Sequence, residues 1–524
     1  MWNRSLTVPV FLERGVRQGC PLSPLLYVLV SEVLSTQIRK CCDIEGFRLP
    51  GDGGLQFKIS QYADDATLFV KTEFSLCRLL QVVERYERGS GAKLNTSKSE
   101  AMWLGRWRCN GASPWFGLNW VSKLRILGIY FSNGLVSVES ENWRTKLDKL
   151  ELVLNLWKQR ELSFLGRALI INVLGVSRFY HIAKIISPPN WVCERLYRLV
   201  WSFIWKGRME NISRKRCCAP FELGGFNIVD FRTKCLSLCL SCLSSLRDNF
   251  GASKWHYLAR YFMGTRLTRL DERFDFKSNL FPVSSIPSNF YRKVLESLQR
   301  LFERHGKLPD DLSCKNLYGL FFNLPDAAPL CAGVWRAVVG RPINWWAAVW
   351  RKSRFKLVEN KKNDLLWLLL HNAVRTRCNL KAWGYIDSNR CAVCSRIETN
   401  QHCFVDCFRV FEVWNFSAPF LSRLQNSPFI PSFQSVLFPL ANFPDSHLSV
   451  YHYFIASILF FIWQSRNLAT FRNRTLNSRN IANLIIKDIK TRILGEPINR
   501  VKEIWTVNNV ICSVNKDSVV FHFN

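Results

Sequence analysis

Two adjacent carboxylates, Asp64 and Asp65, stand between apolar, strand-like residues in the segment QYADDATLFV at residues 61–70. An acidic pair at the tip of a β-hairpin can bind divalent metal ions. Two such ions about 3.5–4 Å apart can bind the attacking and the leaving oxygen of a phosphoryl transfer. Considered alone, an Asp-Asp pair is more often a solvated turn. The pair therefore predicts either a phosphoryl-transfer site or a simple surface turn.

A loop that carries glycine and arginine, RGVRQGCPLSPLL at residues 14–26, precedes this acidic pair. Gly15 and Gly19 allow a tight loop and a close approach of a ligand to the backbone. Arg14 and Arg17 supply positive charge for phosphate groups. A Gly/Arg loop alone is weak evidence for a ligand site. The whole string of 13 residues is long enough to be a specific sequence motif.

A second group of candidate ligands has the spacing Cys-x2-Cys-x7-His-x4-Cys and consists of Cys391, Cys394, His402 and Cys407. Three thiolates and one imidazole form a closed tetrahedral set that suits structural Zn²⁺. Two other cysteines, Cys378 and Cys403, are close enough in the chain to replace one of these ligands. The alternative is a set of unrelated buried cysteines. If the set does bind zinc, loss of the metal should unfold the surrounding module, because such small sites draw folding energy from the ion.

The charge of the chain indicates a polyanionic partner. Its 524 residues carry a formal net charge of +32, which favours nucleic acid first and an anionic membrane surface second. The longest apolar run, at residues 450–463, is shorter than the roughly 20 residues that cross a bilayer and predicts a buried helix. The first residues lack the apolar segment of a secretory signal. The 19 cysteines, mostly among apolar neighbours, suit a reducing compartment.

The elements that must position these residues predict an α+β chain. Residues 1–135 alternate strand-like and helix-like segments, with strands over 5–12 and 123–131 and two short strands around Asp64-Asp65. Ser23 is the predicted N-cap of a helix with Pro24 at its first position. From residue 139 to residue 250, apolar residues recur at helical spacing. Cys235, Cys239 and Cys242 lie there on one helical face and are predicted to be core rather than metal ligands.

Residues 151–220 form a basic, tryptophan-bearing stretch with twelve Lys/Arg and four acids. Helices of this composition can follow a phosphate backbone, with aromatic rings packed inside or stacked on bases. The alternative is a solvated basic face with tryptophans in the core. The tryptophans concerned are Trp157, Trp191, Trp201 and Trp205.

The strings RGVRQGCPLSPLLY and YADDATLFV, followed by GAKLNTSKSE at residues 91–100 and LGI at residues 127–129, resemble the palm of reverse transcriptases from LINE-type (non-LTR) retrotransposons. The resemblance covers about residues 5–260, with the blocks in the family's order. It implies RNA-directed DNA polymerisation with two Mg²⁺ ions. An RNA-dependent RNA polymerase or an intron-type maturase fits less well, because of the Ala-Asp-Asp turn and the cysteine/histidine set.

The resemblance also implies individual roles. Asp64 would bind Mg²⁺ directly with Asp65 beside it, and Lys98 would donate a proton to the leaving pyrophosphate. A surface lysine in a polar turn is an equally good interpretation of Lys98. The residues that would contact the incoming nucleotide, the template or the primer end are Arg14, Gln18, Gly19 and Tyr62.

The region around the cysteine/histidine set resembles the zinc-binding domain that follows the reverse transcriptase in many such elements. The expected fold is therefore α+β, a partial palm of antiparallel sheet with helices, then a mostly α-helical thumb and connector and a small zinc-binding module. The expected domains are a partial reverse transcriptase palm (1–135), a helical thumb (136–260), a connector (261–339), the zinc-binding domain (340–415) and a helical C-terminal region with a basic tail (416–524).

The family holds its metal ions with a further Asp N-terminal to the glycine-bearing loop, and residues 1–13 contain no Asp. The isolated chain is therefore expected to be inactive as a polymerase for want of this Asp and of the fingers. The alternative is a non-catalytic, zinc-containing, nucleic-acid-binding remnant of a retroelement. Expected partners are an RNA template, a DNA primer and deoxynucleotides, with no membrane. The expected location is intracellular, in nucleus and cytoplasm, and not secreted.

Overall fold

The structure is a computed structural model that describes residues 19–50, 54–109, 117–274, 276, 281–329, 331, 342–352, 357–438, 445–516 and 518–523. The chain divides into two compact units. The first unit comprises Met1–Asp148, Phe179–Val192 and Arg232–Phe321, and the second comprises Lys149–Arg178, Cys193–Phe231 and Phe322–Asn524. The predicted strand over 5–12 lies outside the described residues, as do Arg14 and Gln18.

The described strands pair in twos, and four of the five pairs are antiparallel. The exception is the parallel pair β5–β6. Together with the helices they form the mixed α and β structure that the sequence predicts. The strands are β1 (Phe47–Arg48), β2 (Gln56–Phe57), β3 (Ile59–Tyr62), β4 (Asp65–Leu68), β5 (Glu100–Ala101), β6 (Asn119–Trp120), β7 (Lys123–Ile126), β8 (Ile129–Ser132), β9 (Cys512–Asn515) and β10 (Ser518–Phe521).

Helices make up most of the remaining ordered backbone. They are α1 (Ser23–Lys40), α2 (Glu73–Ser90), α3 (Thr145–Lys158), α4 (Phe164–Ile170), α5 (Ser177–Ala183), α6 (Asn190–Ile204), α7 (Arg214–Cys218), α8 (Phe231–Leu240), α9 (Cys242–Asp248), α10 (Trp255–Leu270), α11 (Asn289–His305), α12 (Cys314–Phe321), α13 (Ile343–Lys352), α14 (Asn360–Leu370), α15 (Arg377–Ala382), α16 (Phe408–Gln425), α17 (Phe433–Leu437), α18 (Asp445–Arg472), α19 (Ser478–Leu494) and α20 (Ile498–Ile504).

In the first unit, helices α1 and α2 pack with β3 around a small apolar core of Ile38, Ile44, Ile59 and Leu79. Helix α1 begins at Ser23 itself, so the predicted N-cap is displaced by one residue. Leu22 occupies the capping position without a side-chain hydrogen bond, and Pro24, predicted at the first helical position, is the second residue of the helix.

The predicted single strand over 123–131 is wrong, because the segment folds back on itself as the hairpin β7–β8. Leu127 and Gly128 form its two-residue turn with φ of 46° and 83°. Two successive residues with positive φ are the geometry of the tight turns that match strand twist. Glycine accepts that geometry readily, whereas leucine rarely does, which is why the residues around it predicted a continuous strand.

A second core of the first unit joins α8 and α9 to α10, α11 and α12. Cys239 is buried in this core, as the helical spacing of the cysteines predicts, and Cys235 is also buried. The predicted domain boundary after residue 260 falls inside the continuous helix α10. The predicted connector, residues 261–339, therefore contains helices α11 and α12, which complete this core.

In the second unit, the apolar run over 450–463 belongs to the long helix α18, which packs against α14, α16 and α19. Its side chains from Val450 to Leu459 are buried, so the predicted buried helix is confirmed. Within the described residues, no helix is long and apolar enough to span a bilayer. The predicted boundary after residue 415 falls inside α16. The C-terminal region, predicted as helical, ends in the hairpin β9–β10.

Candidate functional site

The two carboxylates lie at the tip of the hairpin β3–β4. Tyr62 pairs directly with Asp65, which makes Ala63 and Asp64 the two turn residues. Ala63 has a φ of 51°. The predicted Asp-Asp turn is thus displaced by one residue, since Asp65 already belongs to a strand. Both carboxylates are exposed, so they are free to meet metal ions and a substrate from solution.

Neighbouring elements hold this hairpin in place. The Ser35 hydroxyl of α1 donates to Gln61 Oε1 at 2.6 Å, and the Tyr27 hydroxyl donates to the Ala63 carbonyl at 3.4 Å. Burial raises the pKa of Tyr27, and the negative charge of Asp64 raises it further. The Tyr62 side chain is 69% exposed and therefore presents an aromatic ring beside the acids.

The other predicted residues of this site are placed as follows. Gly19 has a φ of 84° and open space where a Cβ would be. Lys98 ends a short helical turn, its amide bonded to Asn95, and its ammonium group makes no hydrogen bond within the described residues. Arg14 and Gln18 lie outside those residues. No third ligand joins the two carboxylates within the described part of the chain, where a single group of three or more potential metal ligands occurs elsewhere.

That group is the predicted set Cys391, Cys394, His402 and Cys407, whose donor atoms all lie within 4.8 Å of one another. Cys394 Sγ is 3.2 Å from His402 Nε2 and 4.0 Å from Cys407 Sγ. A tetrahedral Zn²⁺ with Zn–S bonds of ~2.3 Å separates its sulfurs by about 3.8 Å. The four donors therefore fit Zn²⁺.

The two alternative ligands are not part of this group. Cys403 directly follows His402 in a helical turn, and adjacent residues on a helix point in different directions. It is buried, which raises the pKa of its thiol to about 12. Burial also raises the pKa of Cys378. Both cysteines thus lack the environment that favours a metal-binding thiolate.

Local backbone geometry brings the four ligands together. The amide of Cys391 donates to the Arg396 carbonyl at 2.7 Å, and the amide of Val393 donates to Cys391 Sγ at 3.5 Å. Ser395 has a φ of 59°, which closes the turn after Cys394. A helical turn then carries His402, whose carbonyl accepts from the amide of Cys407 at 2.9 Å.

The thiols of Cys391 and Cys407 influence each other's protonation. A hydrogen bond with Cys407 lowers the pKa of Cys391, and the same bond raises the pKa of Cys407. A bound Zn²⁺ would require thiolates, so metal binding would release the protons of these thiols.

A buried ion pair that sequence analysis did not predict supports the loop that carries Cys391, Cys394, His402 and Cys407, here called the zinc loop. Arg466 of α18 donates from Nη2 to Glu398 Oε1 at 2.7 Å and from Nε at 3.1 Å. The same oxygen accepts from the amide of Arg377 at 2.9 Å. Glu398 is 1% exposed and Arg466 is 2% exposed. The available signal was an arginine three residues after the end of a long apolar run.

An aromatic contact also joins the loop to α18. Phe404 stacks on Trp463 at a centroid distance of 5.9 Å, and its carbonyl accepts from Trp414 Nε1 at 2.8 Å. Together with the ion pair, this packing gives the ligand loop a rigid base.

The basic stretch 151–220 divides into core and surface. Arg167 and Arg216 are buried and donate to backbone carbonyls. Trp201 and Trp205 are buried as well, so these two tryptophans are core residues rather than stacking platforms. The remaining cations on exposed positions are the ones that can meet phosphate.

Comparison with known proteins gives three matches. Residues 2–169 match the family of reverse transcriptases (RNA-dependent DNA polymerases), and residues 331–414 match the family described as zinc-binding in reverse transcriptase. The chain is also 32% identical over 269 residues to the Transposon TX1 uncharacterized 149 kDa protein of Xenopus laevis. That alignment covers 50% of the chain and spans 20% of the length of the Xenopus protein.

Proposed function

This chain belongs to the non-LTR retrotransposon reverse transcriptases that carry a zinc-binding domain, and from that premise we propose that it supplies part of an RNA-directed DNA polymerase site. Asp64 and Asp65 would hold Mg²⁺ ions for nucleotidyl transfer. The observation that carries the proposal is the hairpin tip, where two exposed carboxylates lie within the matched reverse transcriptase domain. Bound Mg²⁺ would stabilise the charge that develops on the reacting phosphate.

The residues around the hairpin have roles in the same proposal. The open space at Gly19 would admit a nucleotide or template, and the exposed ring of Tyr62 would lie near the primer end. Arg14 and Gln18 would contact nucleotide and template, and Lys98 would donate a proton to the leaving pyrophosphate. The substrates would be deoxynucleotides with an RNA template and a DNA primer.

The cysteine/histidine set has a structural role in this proposal. Four protein ligands fill a tetrahedral zinc site and leave no position open for water or substrate. Three of the four ligands are also buried. Zn²⁺ would therefore stabilise the loop rather than take part in the transfer reaction.

A second candidate function is nucleic-acid binding without catalysis. It is favoured by the absence of a third metal ligand beside Asp64 and Asp65 in the described residues. Two carboxylates alone hold two Mg²⁺ ions poorly. The two metal ions repel each other, and two carboxylates are too few ligands to offset that repulsion. We therefore propose that this chain, taken alone, binds nucleic acid but does not extend a primer.

Two measurements test these proposals. Binding of a labelled RNA–DNA template-primer should weaken steeply as salt rises, because phosphate contacts release counterions. Failure to bind at low salt would contradict both candidate functions. Primer extension with Mg²⁺ and deoxynucleotides separates the two functions, with Asp64→Asn as the matched control. Extension that depends on Asp64 would establish catalysis and overturn the proposed inactivity of the chain alone.

A further inference from the structure

A tight turn follows helix α6 and carries two of the exposed cations of the basic stretch. Lys206 and Gly207 both have left-handed backbone conformations, with φ of 54° and 70°. The amide of Gly207 donates to the Ser202 carbonyl at 2.8 Å. Glycine adopts this conformation freely, but lysine does so at a cost of roughly 1 kcal/mol. The turn thereby presents Lys206 and Arg208 to solvent.

This turn is tied to the segment that precedes the zinc loop. Arg375 Nη2 donates to the Met209 carbonyl at 3.4 Å, and Asn211 Nδ2 donates to the Ala373 carbonyl at 3.2 Å. Both segments belong to the second compact unit. Residues far apart in the sequence therefore place Lys206, Arg208 and Arg375 on one surface.

The cations of this surface act on one another. Burial lowers the pKa of Arg375, and the neighbouring charge of Arg208 lowers it further. The pKa of Lys206 is lowered by partial burial and then by the guanidinium groups of Arg167 and Arg208, although the carboxylate of Glu161 opposes this shift. Like charges held this close are unfavourable unless an anion offsets them.

Acidic groups nearby do not neutralise the two exposed cations of the turn. Glu161 pairs with Lys361, and Asp364 accepts from the amide of Phe164 at 3.0 Å. Within the described residues, neither Lys206 nor Arg208 forms an ion pair with a carboxylate. Their charge is therefore available to a ligand.

We propose that Lys206, Arg208 and Arg375 form one phosphate-binding surface for a nucleic-acid backbone, shared by the turn after α6 and the segment before the zinc loop. The inference rests on the proposed nucleic-acid-binding function and assigns part of it to this surface. A lipid surface fits less well, because membrane-binding segments insert aromatic residues and the neighbouring Trp201 and Trp205 are buried.

The test compares two triple variants of the full chain. One is Lys206→Gln/Arg208→Gln/Arg375→Gln, and the matched control removes the same charge from exposed positions of the same unit, Arg479→Gln/Lys487→Gln/Lys502→Gln. Binding to a short DNA duplex is measured from about 50 to 200 mM salt. Each lost phosphate contact lowers the slope of log affinity against log salt by about 0.9. We expect the first variant to lose about 2.5–3 from the slope and the control to keep the wild-type slope within about 0.9.

A charge-preserving variant, Arg208→Lys/Arg375→Lys, should keep the wild-type slope, because it retains the cations while losing the bond to Met209. Zinc content and thermal unfolding of each variant verify that the fold is retained. The proposal is overturned if the Gln variant keeps the wild-type slope, or if both triple variants lose it equally. It is also overturned if the Gln variant loses only binding to phosphatidylserine vesicles. Absence of DNA binding by the wild-type chain would overturn the proposed function itself.

Discussion

The hairpin tip at Asp64-Asp65 and the loop that carries Cys391, Cys394, His402 and Cys407 are two candidate metal-binding sites of opposite construction. The hairpin offers two exposed carboxylates from adjacent residues. The loop offers four donors within 4.8 Å, three of them buried. A complete ligand set of this kind encloses its ion, whereas an incomplete set leaves its ions open to a substrate. The difference fits the proposed roles, in which the first site would serve a substrate from outside and the second would stabilise the fold.

The surroundings of the two sites also differ, since the zinc loop is held by buried contacts and the hairpin tip is not. The zinc loop is held from outside by the buried pair Glu398–Arg466 and by Phe404 on Trp463. The hairpin is held mainly by a hydroxyl from α1 and by the packing of Ile59 on α1 and α2. Perturbing the loop should therefore cost far more stability than perturbing the hairpin tip.

The largest expected effect is loss of zinc. Cys391→Ser/Cys394→Ser should abolish zinc binding and unfold the loop, because metal binding in small zinc modules contributes about 10–16 kcal/mol. The measurement is zinc content of the purified protein together with thermal unfolding. Cys403→Ala is the matched control and should retain zinc. Retention of zinc by the double variant would show that Cys391 and Cys394 do not hold the metal, and the contrast between a closed zinc site and an open hairpin tip would then fail.

The second effect tests whether the loop depends on α18. Arg466→Met leaves Glu398 buried without its partner and should lower the free energy of unfolding by about 3–5 kcal/mol. Urea unfolding measures it. Arg88→Met removes the exposed partner of Glu84 and should change stability by less than about 1 kcal/mol. Equal effects from the two substitutions would show that the zinc loop gains nothing from this ion pair.

The third effect probes the support of the hairpin region. Thr72 caps helix α2, accepting from the amide of Ser75 at 3.1 Å. Thr72→Ala should cost about 1 kcal/mol of unfolding free energy, because it removes this acceptor. Thr72→Ser keeps the hydroxyl and should stay near wild type. A loss of more than about 3 kcal/mol would mean that substitutions near the hairpin destabilise the protein as much as the loss of the Glu398–Arg466 pair does.

The smallest stability effect is expected at the carboxylates themselves. Asp64→Asn and Asp65→Asn should each change the free energy of unfolding by less than about 0.5 kcal/mol, since both side chains are exposed and exposed substitutions usually cost little. Chemical denaturation checks this, with Ala66→Ser on the same hairpin as a control. A loss of more than about 2 kcal/mol would show that the acids stabilise the fold and would weaken the proposal that they serve an outside substrate.

The zinc ligands could be predicted from sequence because their spacing places all four in one short stretch of chain. The structure brings together the predicted four and leaves out Cys378 and Cys403. The hairpin was predicted for a similar reason, as alternating apolar residues on both sides of the acids favour two short strands. The turn was displaced by one residue because pairing register depends on which residues oppose each other, here Tyr62 and Asp65.

Other features could not be predicted because they join distant segments. The Glu398–Arg466 pair links residues 68 positions apart in the sequence. The hairpin at Leu127-Gly128 was missed because a leucine with positive φ has no local signal.

The sequence by itself determined the candidate ligands and the basic charge of this protein, since ligand types, short spacings and charge are local properties of the chain. Only the tertiary structure decided which cations are core and which are surface, placing Arg167 and Arg216 inside and Lys206 and Arg208 outside. Burial depends on the packing of segments distant in sequence, and a side chain's electrostatic environment follows from that packing.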